Sequence, residues 1–185
     1  MNYADIKRVD IANGEGVRTS LFVSGCTHHC KGCFNEETWD FHYGKPYTKE
    51  IEDEIVKSLD KDFINGLTLL GGEPMEPANQ KALLPLVKRV KELYKDKTIW
   101  CYTGYLFDSE LLSPSRAYAP WTREFLSYID ILVDGEFKLA LKDITLRFKG
   151  SSNQRIIDVH KSLKEGKVVL SPLNDKKDKS TIYGN

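Results

Sequence analysis

The sequence predicts an α/β fold, a partial, open (β/α) barrel with a largely parallel sheet. Three observations lead there. Short apolar runs alternate with amphipathic helical segments, and the runs end at Gly or polar residues. The chain's 185 residues suit five or six such units, whereas a full eightfold barrel typically takes ~250 residues.

The strand candidates, in order, are Thr19–Ser24 (TSLFVS), Leu67–Leu70 (LTLL), Thr98–Tyr102 (TIWCY) and Ile129–Val133 (IDILV). Arg155–Val159 and Lys167–Leu170 are further candidates. Between the first two runs, Ile51, Ile55 and Leu59 recur at i, i+4 and i+8, Thr48 can cap the start, and Glu50 and Glu52 favour the first turn. That segment is an amphipathic helix. Between the second and third runs, Leu83, Leu84, Val87, Val90 and Tyr94 keep a helical period, and Pro85 must either kink this helix or mark its first turn.

Composition narrows the function classes. Apolar residues make up 41% and charged residues 29%, as in an ordinary folded domain. Lys plus Arg and Asp plus Glu are 27 each, so no excess positive charge draws the chain to nucleic acid or to an anionic membrane surface. No run approaches the ~18 apolar residues of a membrane helix, and MNYADIKRVD has no apolar leader core. The expectation is a cytoplasmic chain, 1–185, forming one domain with a polar tail from about 174 to 185 (NDKKDKSTIYGN).

In a parallel sheet, ligands gather at the carboxyl ends of the strands. Cys26 follows the first run, Gly71-Gly72-Glu73-Pro74 the second, Thr103-Gly104 the third and Asp134-Gly135-Glu136 the fourth. One site at one rim is implied.

Cys26-x3-Cys30-x2-Cys33 concentrates three thiols in eight residues, while Cys101 lies inside TIWCY as a buried, inert thiol. Three soft ligands suit a [4Fe–4S] cube with one iron left open. Zinc is the alternative, with His28 or His29 completing a Cys3His set, although structural zinc sites usually arrive as two separated ligand pairs. In the iron–sulfur reading both histidines are solvated loop residues.

The cysteine loop, with NGEGVRTSLFVSGC (13–26) leading into it, resembles the cluster motif of the radical S-adenosylmethionine superfamily and, within it, the glycyl-radical activating enzymes. WCYTGY (100–105), IDILVDGEF (129–137) and KGSSNQRIID (149–158) resemble the branch that acts on the anaerobic ribonucleotide reductase. The likeness runs from about residue 5 to residue 160. Much of the superfamily has an aromatic residue just before the third cysteine, whereas this chain has Gly32 there and Phe34 after it. Phe34 either shields the cluster or packs against a helix.

The resemblance implies a radical S-adenosylmethionine fold and an activase. Its [4Fe–4S] cluster, on Cys26, Cys30 and Cys33, binds S-adenosylmethionine at the open iron. Electron transfer yields a 5′-deoxyadenosyl radical, which takes hydrogen from a glycine of the reductase's large subunit, a glycyl-radical protein. A flavodoxin or ferredoxin would donate the electron. Gly71, Gly72, Glu73 and Pro74 would bind the methionine part, with Glu73 accepting from its ammonium; the same residues also suit a plain strand-to-helix turn. Thr103 and Gly104 would meet the ribose and adenine, or simply end a strand. Asp134 would reach the ribose or sulfonium, or form an Asp-Gly turn. Arg18 and Asn35 would flank the cluster loop, Arg18 balancing carboxylate charge and Asn35 donating to a cluster sulfur. Ser151 to Arg155 would close the cofactor or partner side, or be an exposed polar turn. Two other functions stay open: activation of another glycyl-radical enzyme such as pyruvate formate-lyase, and a non-catalytic zinc- or iron-binding adaptor.

Overall fold

A computed structural model describes residues 1–174. The elements are β1 (Asn2–Asp10), β2 (Arg18–Val23), β3 (Lys45–Pro46), α1 (Lys49–Ser58), β4 (Gly66–Gly71), α2 (Pro77–Leu93), β5 (Thr98–Tyr102), α3 (Thr122–Ser127), β6 (Ile131–Asp134), β7 (Arg155–Asp158) and α4 (Val159–Glu165). The strands form one open, mixed sheet of seven in the order β3-β1-β2-β4-β5-β6-β7. The four central strands β2, β4, β5 and β6 run parallel, and β1, β3 and β7 pair antiparallel. The expected α/β fold is present, with its parallel part confined to the middle of the sheet.

Those four strands are the apolar runs of the sequence, because strands covered on both faces carry little polarity. In β4, residues 66–70 are all buried. Alternate residues serve different faces. Leu21, Leu67, Leu69, Ile99, Cys101, Leu132 and Ile157 join Ile55 of α1, Leu83 and Val87 of α2 and Phe125 of α3 in the main core. Trp100, Val133 and Ile156 form a smaller cluster with Leu173.

Thr48 caps α1 as its sequence suggests, accepting the Ile51 N–H at 3.5 Å. Pro85 does not begin α2: Pro77 holds the first position, and Pro85 sits inside the helix on an exposed turn, where water can serve the carbonyl it strands. Lys167–Leu170 contributes an isolated bridge from Leu170 to Ile157 rather than a strand. β1 was not legible. Its pairing with β2 shifts register between Tyr3 and Asp5 and again between Lys7 and Asp10, so its burial does not alternate.

Asn174, where the polar tail was to start, is fixed: its side chain accepts from the Ile156 N–H at 2.9 Å. The rest of that tail, 175–185, lies outside the described residues. Among the described residues no helix is long and apolar enough to cross a membrane.

Candidate active site

The parallel strands bring their C-terminal ends to one open cavity, whose wall includes Cys26, Cys30, Cys33 and Asn35 from the cysteine loop. Gly71 ends β4 with Gly72 and Glu73 just after it, Thr103 and Gly104 follow β5, and Gly135 follows β6, all lining the same space. Pro74 is buried behind the turn and does not line it.

The loop's three thiols are free. Burial pushes the Cys26 thiol up to about 12 and also raises Cys30. Cys26 and Cys30 therefore hold protons at neutral pH that any metal must displace. The Asn35 backbone N–H, rather than its side chain, points at the Cys33 sulfur at 3.4 Å. Cys101 is wholly buried in β5, and burial raises its thiol too. Among the described residues no group of three or more His, Cys, Asp or Glu is arranged to hold a single metal ion.

His28 is not solvated; its side chain is 3% exposed. Its Nε2 lies 3.0 Å from a Glu73 oxygen and its Nδ1 2.8 Å from a Glu136 oxygen. Burial alone would lower its pKa, but the two carboxylates outweigh burial and raise it. His29 is exposed and stacks on Trp39, with ring centroids 4.6 Å apart. Neither histidine ring is free to join the thiols without giving up these partners.

Glu73 is fully buried, and its oxygens already accept from Gly104 N–H at 2.7 Å and Met75 N–H at 2.8 Å as well as facing His28. It thus braces two strand ends and the loop. Gly71 adopts φ +106, and a Cβ on Gly72 would lie 2.8 Å from the Gly25 carbonyl oxygen, so this turn is pressed onto the start of the cysteine loop.

Several residues of the site escaped the sequence reading. Glu76, preceding α2, accepts from Thr27 N–H at 2.9 Å, Thr27 Oγ1 at 2.6 Å and the Tyr105 hydroxyl at 3.1 Å. Asn79 donates to the Ser24 and Glu73 carbonyls at 3.0 and 2.9 Å. The available signal was that Glu76, Asn79 and Gln80 continue the apolar face of α2 backward from Leu83, where buried polar groups need partners.

The structure places four further features of the sequence reading. Asp134 is fully buried, but its oxygens accept from Arg155 at 2.9 and 2.5 Å and from Phe107 N–H at 2.8 Å, and Gly135 lines the cavity instead. Arg18 begins β2 and so lies at the far end of the strand from Cys26; it does not flank the loop. Phe34 is 75% exposed at the mouth and faces Phe137 at 6.1 Å, not a helix. Within 151–155, Gln154 lines the cavity and ties the Gly135 carbonyl at 2.9 Å, while Asn153 ties that of Glu136 at 2.9 Å.

A family model described as a 4Fe-4S single cluster domain matches residues 12–157, covering the loop and the sheet around it. The class is therefore an iron–sulfur protein with one cluster domain on an α/β sheet. A Vibrio cholerae protein named anaerobic ribonucleoside-triphosphate reductase-activating protein is 47% identical over 158 residues, which are 84% of this chain and 97% of that one. Proteins of the same name from Pasteurella multocida and Escherichia coli K12 are 45% and 42% identical, over 84% and 83% of this chain and 96% of each relative. The chain belongs to the family of anaerobic ribonucleoside-triphosphate reductase-activating proteins.

Proposed function

We propose that this chain is a radical S-adenosylmethionine activase that generates the glycyl radical of the anaerobic ribonucleotide reductase. One observation carries the reading: three free thiols and the Gly71–Glu73 turn line one open cavity at the strand ends, while Cys101 is sealed in the core. The donor set fits a [4Fe–4S] cluster, since thiols are its natural ligands and both neighbouring histidines are engaged elsewhere. Cys26, Cys30 and Cys33 would hold it. Such a cluster, when bound and reduced, would supply the one electron needed for reductive cleavage of S-adenosylmethionine, the chemistry by which a hydrogen atom would be removed from a glycine Cα of the reductase.

The chain's own residues hold and orient. Glu76 and Asn79 fix the start of the cysteine loop, and Glu73 fixes the turn beside it. Gly71, Gly72 and Thr103 leave room and polar atoms along the wall on which the methionine and ribose would lie. The open mouth suits a substrate that is itself a protein segment.

The sheet is read as part of a partial barrel of the radical S-adenosylmethionine type. Its support is that Arg18, Thr68, Trp100 and Tyr102 share the face opposite the main core, an inward wall leading to the cavity. Residues 1–185 are read as one domain. A low-potential flavodoxin or ferredoxin would donate the electron, and the reduced thiols suit the cytoplasm.

Anaerobic reconstitution with iron and sulfide, reduction, and addition of S-adenosylmethionine with the reductase test the reading by electron paramagnetic resonance. A carbon-centred doublet is expected with the native reductase and none when its radical-bearing glycine is replaced by alanine. A doublet that forms with pyruvate formate-lyase and not with the reductase would overturn the assignment.

A further inference from the structure

We infer that His28 is a positioning residue, and that Gly104 is glycine in order to seat its imidazole. This rests on the activase reading above. His28 belongs to the cysteine loop, yet its ring contacts the ends of three successive parallel strands: Glu73 after β4, Gly104 and Tyr105 after β5, and Glu136 after β6.

The fit around the ring is close. A Cβ on Gly104 would lie 2.7 Å from His28 Cδ2 and 2.7 Å from Nε2, a separation that only a shift of the ring could relieve. The Tyr105 ring packs on it at 4.3 Å between centroids. The Glu73 oxygen that meets Nε2 at 3.0 Å is the one that accepts the Gly104 N–H at 2.7 Å, so loop, turn and strand end share a single atom. Arg116 completes the enclosure, with Nη2 3.2 Å from Nδ1 and its guanidinium 5.1 Å from the centre of the Tyr105 ring.

Between Cys26 and Cys30, then, the loop is pinned to the wall that must receive the ligand. Through Glu73, His28 sets where the thiols stand relative to the Gly71–Glu73 turn. The absence of a side chain at residue 104 serves this contact, whereas on the sequence alone it would serve the ribose.

The two explanations of Gly104 separate in a double-mutant cycle on the full-length, anaerobically reconstituted protein. The readouts are S-adenosylmethionine affinity by calorimetry, the change that ligand makes in the reduced cluster's paramagnetic spectrum, and iron loss to a chelator. Gly104→Ala alone is expected to weaken affinity about tenfold, the scale found when a residue supporting a ligand is lost. His28→Ala is expected to weaken it similarly and to alter the ligand-induced spectral change. In the His28→Ala background, adding Gly104→Ala should cost less than about twofold, because the clash has gone. His28→Gln, which restores one bond to Glu73, should recover part of the affinity.

An equal Gly104→Ala penalty in both backgrounds overturns the inference, as does a His28→Ala protein with native affinity and spectrum. Should His28→Ala fail to fold, the same cycle with His28→Ser decides, since it removes the ring and leaves no atom within reach of residue 104. A native protein that assembles no cluster would instead sink the activase reading.

Discussion

The two ends of the parallel strands treat buried charge in opposite ways. At the N-terminal end, Arg18 is fully buried and bonded to the Leu67, Thr98 and Glu15 carbonyls and the Thr68 and Thr98 hydroxyls at 2.7 to 3.1 Å. Among these hydrogen-bond partners there is no carboxylate, and burial lowers its pKa to about 10. At the C-terminal end, Glu73 meets His28 and Glu76 meets Thr27 and Tyr105, beside a cavity left open. The buried cation at the first end is held by carbonyls and hydroxyls alone, whereas a buried carboxylate at the second also faces an imidazole beside a cavity that can accept a ligand. That difference predicts stability resting mainly on the first end and chemistry on the second.

The sharpest way to break this contrast is to delete a thiol. Cys30→Ala should abolish cluster assembly, read as iron and sulfide per chain, while the thermal stability of the metal-free protein stays within about 0.5 kcal/mol. Cys101→Ala should keep the cluster. The reverse pattern would place the iron elsewhere.

Arg18→Leu should show the opposite division. Stranding two strand carbonyls and two hydroxyls without their donor should cost roughly 3–5 kcal/mol in denaturant unfolding of the metal-free protein. A loss below about 1 kcal/mol would mean that these carbonyls find other partners. Glu73→Ala tests whether the rim also carries stability. It leaves the buried Met75 N–H and the half-buried Gly104 N–H without acceptors, so about 2 kcal/mol should go. Affinity for S-adenosylmethionine should fall roughly ten- to a hundredfold. Unchanged binding would reduce Glu73 to a brace.

The smallest effect belongs to the outer side of β7, where Arg155 bridges buried Asp134 and exposed Asp108. The hydrogen bond from Arg155 holds the Asp108 carboxyl below its usual range. Its contribution is therefore present above the unfolded pKa, near 3.8, and is lost as pH falls through the lowered folded value. Asp108→Asn should cost roughly 0.5 kcal/mol at pH 7, and the variant and native unfolding curves should converge near pH 2. A gap that persists in acid would show a role other than charge.

What was legible in the sequence followed from local pattern. The four buried strands announced themselves as short apolar runs, and the order of motifs after them located the rim. What was hidden depended on partners far along the chain. His28 meets Glu136 108 residues away, and nothing near CTHHC signals that a histidine there is enclosed. Asp134 looked available because its partner Arg155 joins it only when β7 folds back antiparallel onto β6. Arg18 looked adjacent to the loop in sequence, but six residues of extended strand carry it to the opposite end. β1 lost its alternation to two register shifts.

Arg18 also acts as a gauge of strand alignment. Its guanidinium reaches from β2 across to Leu67 and Thr68 on β4 and on to Thr98 on β5. Sliding either neighbour by one residue would turn its side chains to the other face and put different main-chain groups opposite the fork. Uniform apolar strands such as LTLL and TIWCY distinguish poorly between alternative offsets, so one cation that accepts a single spacing selects among them. The distances between the loops that build the cavity are thereby set from the far end of the strands.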